Sequence, residues 1–281
     1  MCYCLWLGSG IRPPRTIPLG PFFSGDNQKN MDFCLDLLES AAQHHLLVNF
    51  HGATIPRGWQ RTYPNLMSTE AVYGAEWYNN VPTFTDQAAR HNATLPFTRN
   101  IIGSMDYTPC TFSDSQHPHI TTNAHELALT VLFESGLQHL ADKPESYLAQ
   151  PQEIQDFLSN LPSTWDETKF IEGEVGKRVI IARRKGKTWY VAGINGTDLF
   201  NIGSLDLRKY IKGQIKEAIV YEDNYTRENM TNEPGIPVQP KLVSRKDYYG
   251  QDLWKITKSF HLPESADVLP RGGFVMVIQE Q

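Results

Sequence analysis

The sequence has few cysteines, no long apolar run and no excess of positive charge. Four cysteines in 281 residues, at positions 2, 4, 34 and 110, give no disulfide framework. Cys2 and Cys4 lack a second pair at zinc spacing, and Cys34 falls on the apolar face of a helical stretch, where it reads as a buried thiol. No apolar segment approaches the roughly 20 residues that span a bilayer. Twenty-six Lys and Arg against 31 Asp and Glu leave a formal charge of −5, without the basic footprint of a nucleic-acid binder. Internal repeats and low-complexity tracts are absent. The opening MCYCLWLGSGIRPPR has no basic residue ahead of its short apolar patch and makes a poor secretory signal.

What is present is an ordinary globular composition, 40% hydrophobic and 20% charged, long enough for one large domain or two modest ones. Residues 1–20, with Pro13, Pro14, Pro18 and three glycines, read as irregular. Cys34, Leu37, Leu38 and Ala41 recur at helical spacing within 28–45, with Ser24 or Asp26 available as caps. Apolar 46–50 predicts a buried strand, and further strands are expected at 71–76, 100–107 and 137–141. The stretch 80–93 reads as an irregular loop, and helices are expected at 122–135 and 151–159. From Lys169 the pattern changes to alternation. Arg178–Arg183 and Thr188–Ile194 flank a tight Arg184–Lys187 connection, and strands follow near 205–207, 217–221, 253–260 and 273–278. The expected organisation is an α/β region over 21–165 and a small antiparallel β-sandwich over 166–281, with the boundary near 163–168.

Candidate chemistry collects in 46–77. His51 stands where a buried strand stops, either hydrogen-bonded as structure or donating to a ligand. The loop behind it offers Arg57, Trp59, Arg61 and Tyr63, side chains suited to a polyhydroxylated ligand or to bracing the loop. Glu70 and Glu76 flank Ala-Val-Tyr-Gly-Ala, and Asp106 ends the expected third strand, as a turn cap or as a substrate contact. Alone, the two glutamates read as solvated strand ends.

The ordered words LLVNFHGA, RTYPNL, TEAVYGAEW, TLPFTRN and GSMDYTP over residues 46–109, with PRGGFVMVI near the end, resemble glycoside hydrolase family 97. The resemblance covers roughly residues 22–281. It implies the C-terminal half of a (β/α)8 TIM-type barrel followed by the sandwich, an oligosaccharide substrate and a Ca²⁺ ion. It also implies that the sandwich packs under the barrel or mediates subunit contacts. Relatives of this family are usually exported, a compartment this N-terminus does not itself signal. By position Glu76 matches the general acid/base, also near the metal, and Glu70 a calcium-ligating glutamate. His51, Arg61 and Asp106 are the expected substrate contacts. An acid in the role of Glu76 must hold its proton near neutral pH, which an aromatic neighbour such as Trp77 promotes.

Gly52 replaces the glutamate of the family's inverting branch, so the likeness is to its retaining, α-galactosidase-like branch, with α-glucosides as the lesser alternative. That branch has an aspartate nucleophile on the preceding strand, where this chain has Pro21, so turnover is expected to be impaired. A non-catalytic carbohydrate-binding or assembly module is the competing expectation. With only about four of eight barrel strands spelled out, an open sheet edge is also expected.

Overall fold

In the computed structural model the described residues are 16–19, 26–113, 119–199, 201–224 and 254–281. The first layer is a parallel sheet in the order β1 (Thr16–Leu19), β2 (Leu47–Phe50), β3 (Leu66–Thr69). Helix α1 (Gln28–Gln43) joins the first two, and Asn27 caps it by accepting from the Asn30 amide at 3.1 Å. Val48 and Phe50 point into an apolar cluster with Cys34, Leu38 and Leu66, the α1 side of the sheet. Because strand side chains alternate, Asn49 and His51 belong to the opposite face.

Five short helices follow or close this region: α2 (Trp77–Asn80), α3 (Pro82–Thr85), α4 (Ala88–Asn92), α6 (Pro144–Leu148) and α7 (Gln152–Ser159). Between α4 and α6 runs α5 (Asn123–Leu132), with every residue from Ala124 onwards buried.

The second region is a six-stranded antiparallel sheet, β4 (Glu167–Glu174), β5 (Arg178–Lys185), β6 (Thr188–Asn195), β8 (Ile215–Asp223), β9 (Trp254–Ser259) and β11 (Gly273–Glu280), ordered β4-β5-β6-β11-β8-β9. Gly186, at φ +57°, makes the tight turn between β5 and β6. A two-stranded sheet, β7 (Asn201–Ser204) with β10 (Ser265–Val268), completes the region. The large sheet is apolar on both faces. Val179, Ile181, Ala192, Ile194 and Val275 meet α5, while Ile180, Ala182, Val191, Phe274 and Met276 meet Leu205, Leu207, Ala266 and Val268. Burial on both sides explains the near-continuous hydrophobic runs of β5, β6 and β11.

Several expectations are corrected. Thr16–Leu19 is a strand, with Pro18 on the outer strand of the described sheet, a position proline tolerates. The strand expected at 71–76 is a loop, and the strand lies at 66–69. Ala71 has φ +39°, which breaks extension, and Gly74 lies so close to the Tyr107 carbonyl that a Cβ would sit 2.4 Å from its oxygen. Of the expected strand 100–107 only Met105 pairs, with Thr69. Residues 99–102 instead form a tight helical turn, because the Arg99 guanidinium gathers the carbonyls of Gly103 and Ser104 at 3.0 and 3.1 Å. No strand forms at 137–141, where the Gln138 side chain donates to the Thr130 and Phe133 carbonyls. The stretch 80–93 holds short helices, not an irregular loop. The strand expected at 205–207 lies at 201–204, and Asp26 caps nothing but pairs with Arg57. The sandwich is one large sheet faced by a two-stranded one. Cys2, Cys4, Pro21 and Ser24 lie outside the described residues.

Candidate active site

Three strand ends line up. Phe50 pairs with Thr69 and Thr69 with Met105, all parallel, and the ladder continues as Glu70 N–H to Phe50 O at 2.7 Å and Asp106 N–H to Thr69 O at 3.2 Å. The next residue on each chain is therefore His51, Glu70 and Asp106, a row on one face at the carboxyl ends of adjacent parallel strands. Arg99 holds the middle of this row by donating to the Thr69 and Glu70 carbonyls at 2.7 and 3.2 Å.

At one end of the row His51 bridges two carboxylates, with Nδ1 3.4 Å from Glu70 Oε2 and Nε2 3.6 Å from Glu76 Oε1. The ligand atoms of these three residues all lie within 4.8 Å of one another. Glu70 is the inward member, its side chain 7% exposed against 32% for His51 and 28% for Glu76. Burial pushes the Glu70 carboxyl up to about 7. The Gly52 amide and His51 oppose that rise, and a hydrogen bond and charge repulsion from Glu76 add to it. Glu76 sits at the start of α2, where Trp77 is packed edge-on against Tyr73 at 4.6 Å.

At the other end Asp106 is fully buried and makes a separate network. Its Oδ2 accepts from the Asn49 amide and lies 2.8 Å from His139 Nδ1. The hydrogen bond to Asp106 raises the His139 imidazole above its usual range, outweighing the effect of burial. Sequence reasoning missed Asn49 and His139. Asn49 stands out in the sequence as the polar interruption of an apolar strand but was given no part in the site, whereas His139 belongs to no motif and is brought in by the loop after α5.

Arg61 is exposed on a short helical turn. Its neighbours brace the loop: Arg57 pairs with Asp26, Trp59 packs on Phe50 with centroids 6.5 Å apart, and the Tyr63 hydroxyl donates to Glu39 at 3.2 Å.

Residues 19–72 match the family described as Glycoside hydrolase 97, and residues 164–279 the family described as Glycosyl-hydrolase 97 C-terminal, oligomerisation. The chain belongs to glycoside hydrolase family 97. It is 45% identical over 172 residues to a probable retaining α-galactosidase of Streptomyces bingchenggensis, and 34% identical over 186 residues to a retaining α-galactosidase of Bacteroides thetaiotaomicron. These alignments cover 61% and 62% of this chain but only 26% and 27% of those relatives, so the family 97 chain spans about a quarter of their length. A β-arabinopyranosidase structure superposes with TM-score 0.76 at 30% identity, covering 93% of this chain and 38% of that one. A family 97 enzyme of Pseudoalteromonas sp. strain K8 in complex with acarbose superposes with TM-score 0.72 at 25% identity, over 91% of this chain and 38% of that one.

Proposed function

We propose that this chain carries the acid/base side of a retaining glycosidase site for terminal α-galactosides, in preference to α-glucosides. The observation that carries the reading is the Glu70–Glu76 pair beside His51, their ligand atoms all within 4.8 Å of one another, at the tips of parallel strands. In the retaining scheme Glu76, the more exposed carboxyl, gives its proton to the departing oxygen while an aspartate, at whose place this chain has Pro21, would take the anomeric carbon; Glu76 would then be the base towards the water that frees the sugar. His51, poised between the two carboxylates, donates to a sugar hydroxyl. The names of the two galactosidase relatives support the substrate class. So does the arabinopyranosidase likeness, since a β-L-arabinopyranoside has the ring stereochemistry of an α-D-galactoside without its hydroxymethyl group.

Retaining enzymes place the nucleophile about 5–5.5 Å from the acid. Glu70 has a carboxylate oxygen within 4.8 Å of one on Glu76 and stands too close for that part. It fits a cation ligand instead. Two adjacent carboxylates, one of them pushed up to about 7 by burial, suit an oxygen-preferring divalent ion such as Ca²⁺, with His51 as a neighbour and not a ligand. When bound, the ion supplies positive charge that balances both carboxylates. The position equivalent to the nucleophile, Pro21, lies outside the described residues and favours slow turnover. We further infer that β1–β3 are strands of a (β/α)8 barrel, that 21–165 and 166–281 are its catalytic and C-terminal units, and that the latter mediates self-association.

Release of nitrophenol from 4-nitrophenyl α-D-galactopyranoside by the purified chain, lost in Glu76→Gln, supports the enzyme. The second reading, a sugar-binding module, is favoured by the proline at the nucleophile's place, and it predicts galactose binding with no release of nitrophenol.

A further inference from the structure

We propose that His139 is a further sugar-contacting residue of this site, its ring set by Asp106 so that Nε2 meets a ring hydroxyl of the substrate. The inference rests on the sugar-site reading above and adds to it a residue that carries no family motif.

Asp106 stands beside Glu70 in the row of strand ends, and Asn49 of β2 reaches the same carboxylate, so a side chain that meets both borders the same face. That side chain is His139, its Nδ1 2.8 Å from Asp106 Oδ2 and 3.5 Å from the Asn49 amide nitrogen. A carboxylate at Nδ1 takes that nitrogen's proton in its hydrogen bond and leaves Nε2 as the working nitrogen. Among the described residues Nε2 makes no hydrogen bond, and the side chain is 17% exposed, enough to be reached from outside.

Two other histidines of the region, His91 and His125, differ. Burial lowers both His91 and His125, the latter to about 3, and each is tied to neighbouring backbone. His139 instead keeps a carboxylate partner and an open nitrogen. The wall behind it is also short of donors: Asp106 Oδ1 and Asn49 Oδ1 are buried with no hydrogen-bond partner among the described residues. Two orphaned acceptors on the inner face of a strand-end site call for a donor that none of the described residues supplies, either a hydroxyl or the water it carries.

The test is galactose binding, followed by calorimetry and by the His139 ring resonances, with 2-, 3- and 4-deoxygalactose as probes. In the wild type, galactose should shift the His139 Cε1–H signal, and one deoxy sugar should bind roughly tenfold more weakly. His139→Ala should weaken galactose by a similar factor and bind that deoxy sugar no worse than galactose. His139→Gln, which carries an amide to the place of Nε2, should restore part of the difference. An unmoved ring signal, or discrimination among the deoxy sugars that survives in His139→Ala, overturns the assignment while leaving the sugar site standing. A wild-type chain that binds no galactose overturns both.

Discussion

Glu70 couples the chemistry of the site to the stability of the fold. Its carboxyl is raised from about 4.5 to about 7, so the folded chain holds this proton more tightly than the unfolded one. Stability is therefore greatest below the unfolded value and declines as pH rises through the folded one. A shift of that size corresponds to roughly 3 kcal/mol, or a fall in Tm of roughly 5–10 °C between about pH 5 and pH 8. Thermal melts without added metal should show that fall in the wild type and a much flatter profile in Glu70→Gln. Asp223 contributes in the same direction, raised to about 6 by burial, so the difference between the two chains is the quantity that isolates Glu70. At this scale the sequence was informative where a side chain sits in a distinctive word. His51, Glu70 and Glu76 are brought together as expected from one short stretch. His139 shows the opposite limit: it lies in no such word yet reaches Asp106.

Helix α5 is the element that ties the site's scaffold to the large sheet. Its first turn is satisfied from outside the helix: Asp223 of β8 accepts from Thr122 Oγ1 at 2.7 Å and from the Ala124 amide at 3.1 Å, and the Gly273 amide of β11 joins them. Thr122 adds its own cap on the His125 amide at 3.2 Å. Removing the shared acceptor leaves buried donors without partners. Asp223→Ala is expected to lose roughly 2–3 kcal/mol in a denaturant titration, with the midpoint falling and the slope unchanged.

The strands of this sheet were legible because two buried faces write two interleaved apolar series. The strand at 66–69 was not, because Leu-Met-Ser-Thr after a proline carries little of that signal, whereas Ala71–Glu76 imitates it. Only the backbone at Ala71 and the close approach of Gly74 to Tyr107 settle which segment pairs.

Across the whole molecule the two regions share one core. Tyr78, Tyr107, Leu127, Phe133 and Phe157 pack in the same cluster as Val179, Ile181, Ala192, Tyr221 and Val275. The change of character near 163–168 is thus a change of secondary structure with no gap in the packing. Chains whose parts share a core unfold together. Far-UV circular dichroism and tryptophan fluorescence should give coincident transitions, and two separated transitions would mean that the regions are independent.

The same packing fixes the row His51–Glu70–Asp106 and presents Glu76 at its rim, which is the arrangement the proposed proton donor needs. That role is tested most directly with aryl α-galactosides of graded leaving-group acidity, hydrolysed by the wild-type chain and by Glu76→Gln. The account predicts that the variant slows the poorest leaving groups by roughly 10²–10⁴-fold and the best ones far less, because only the former need a proton at the bond that breaks. Rates that are equal in the two chains across the series, or no hydrolysis by the wild type, would contradict it.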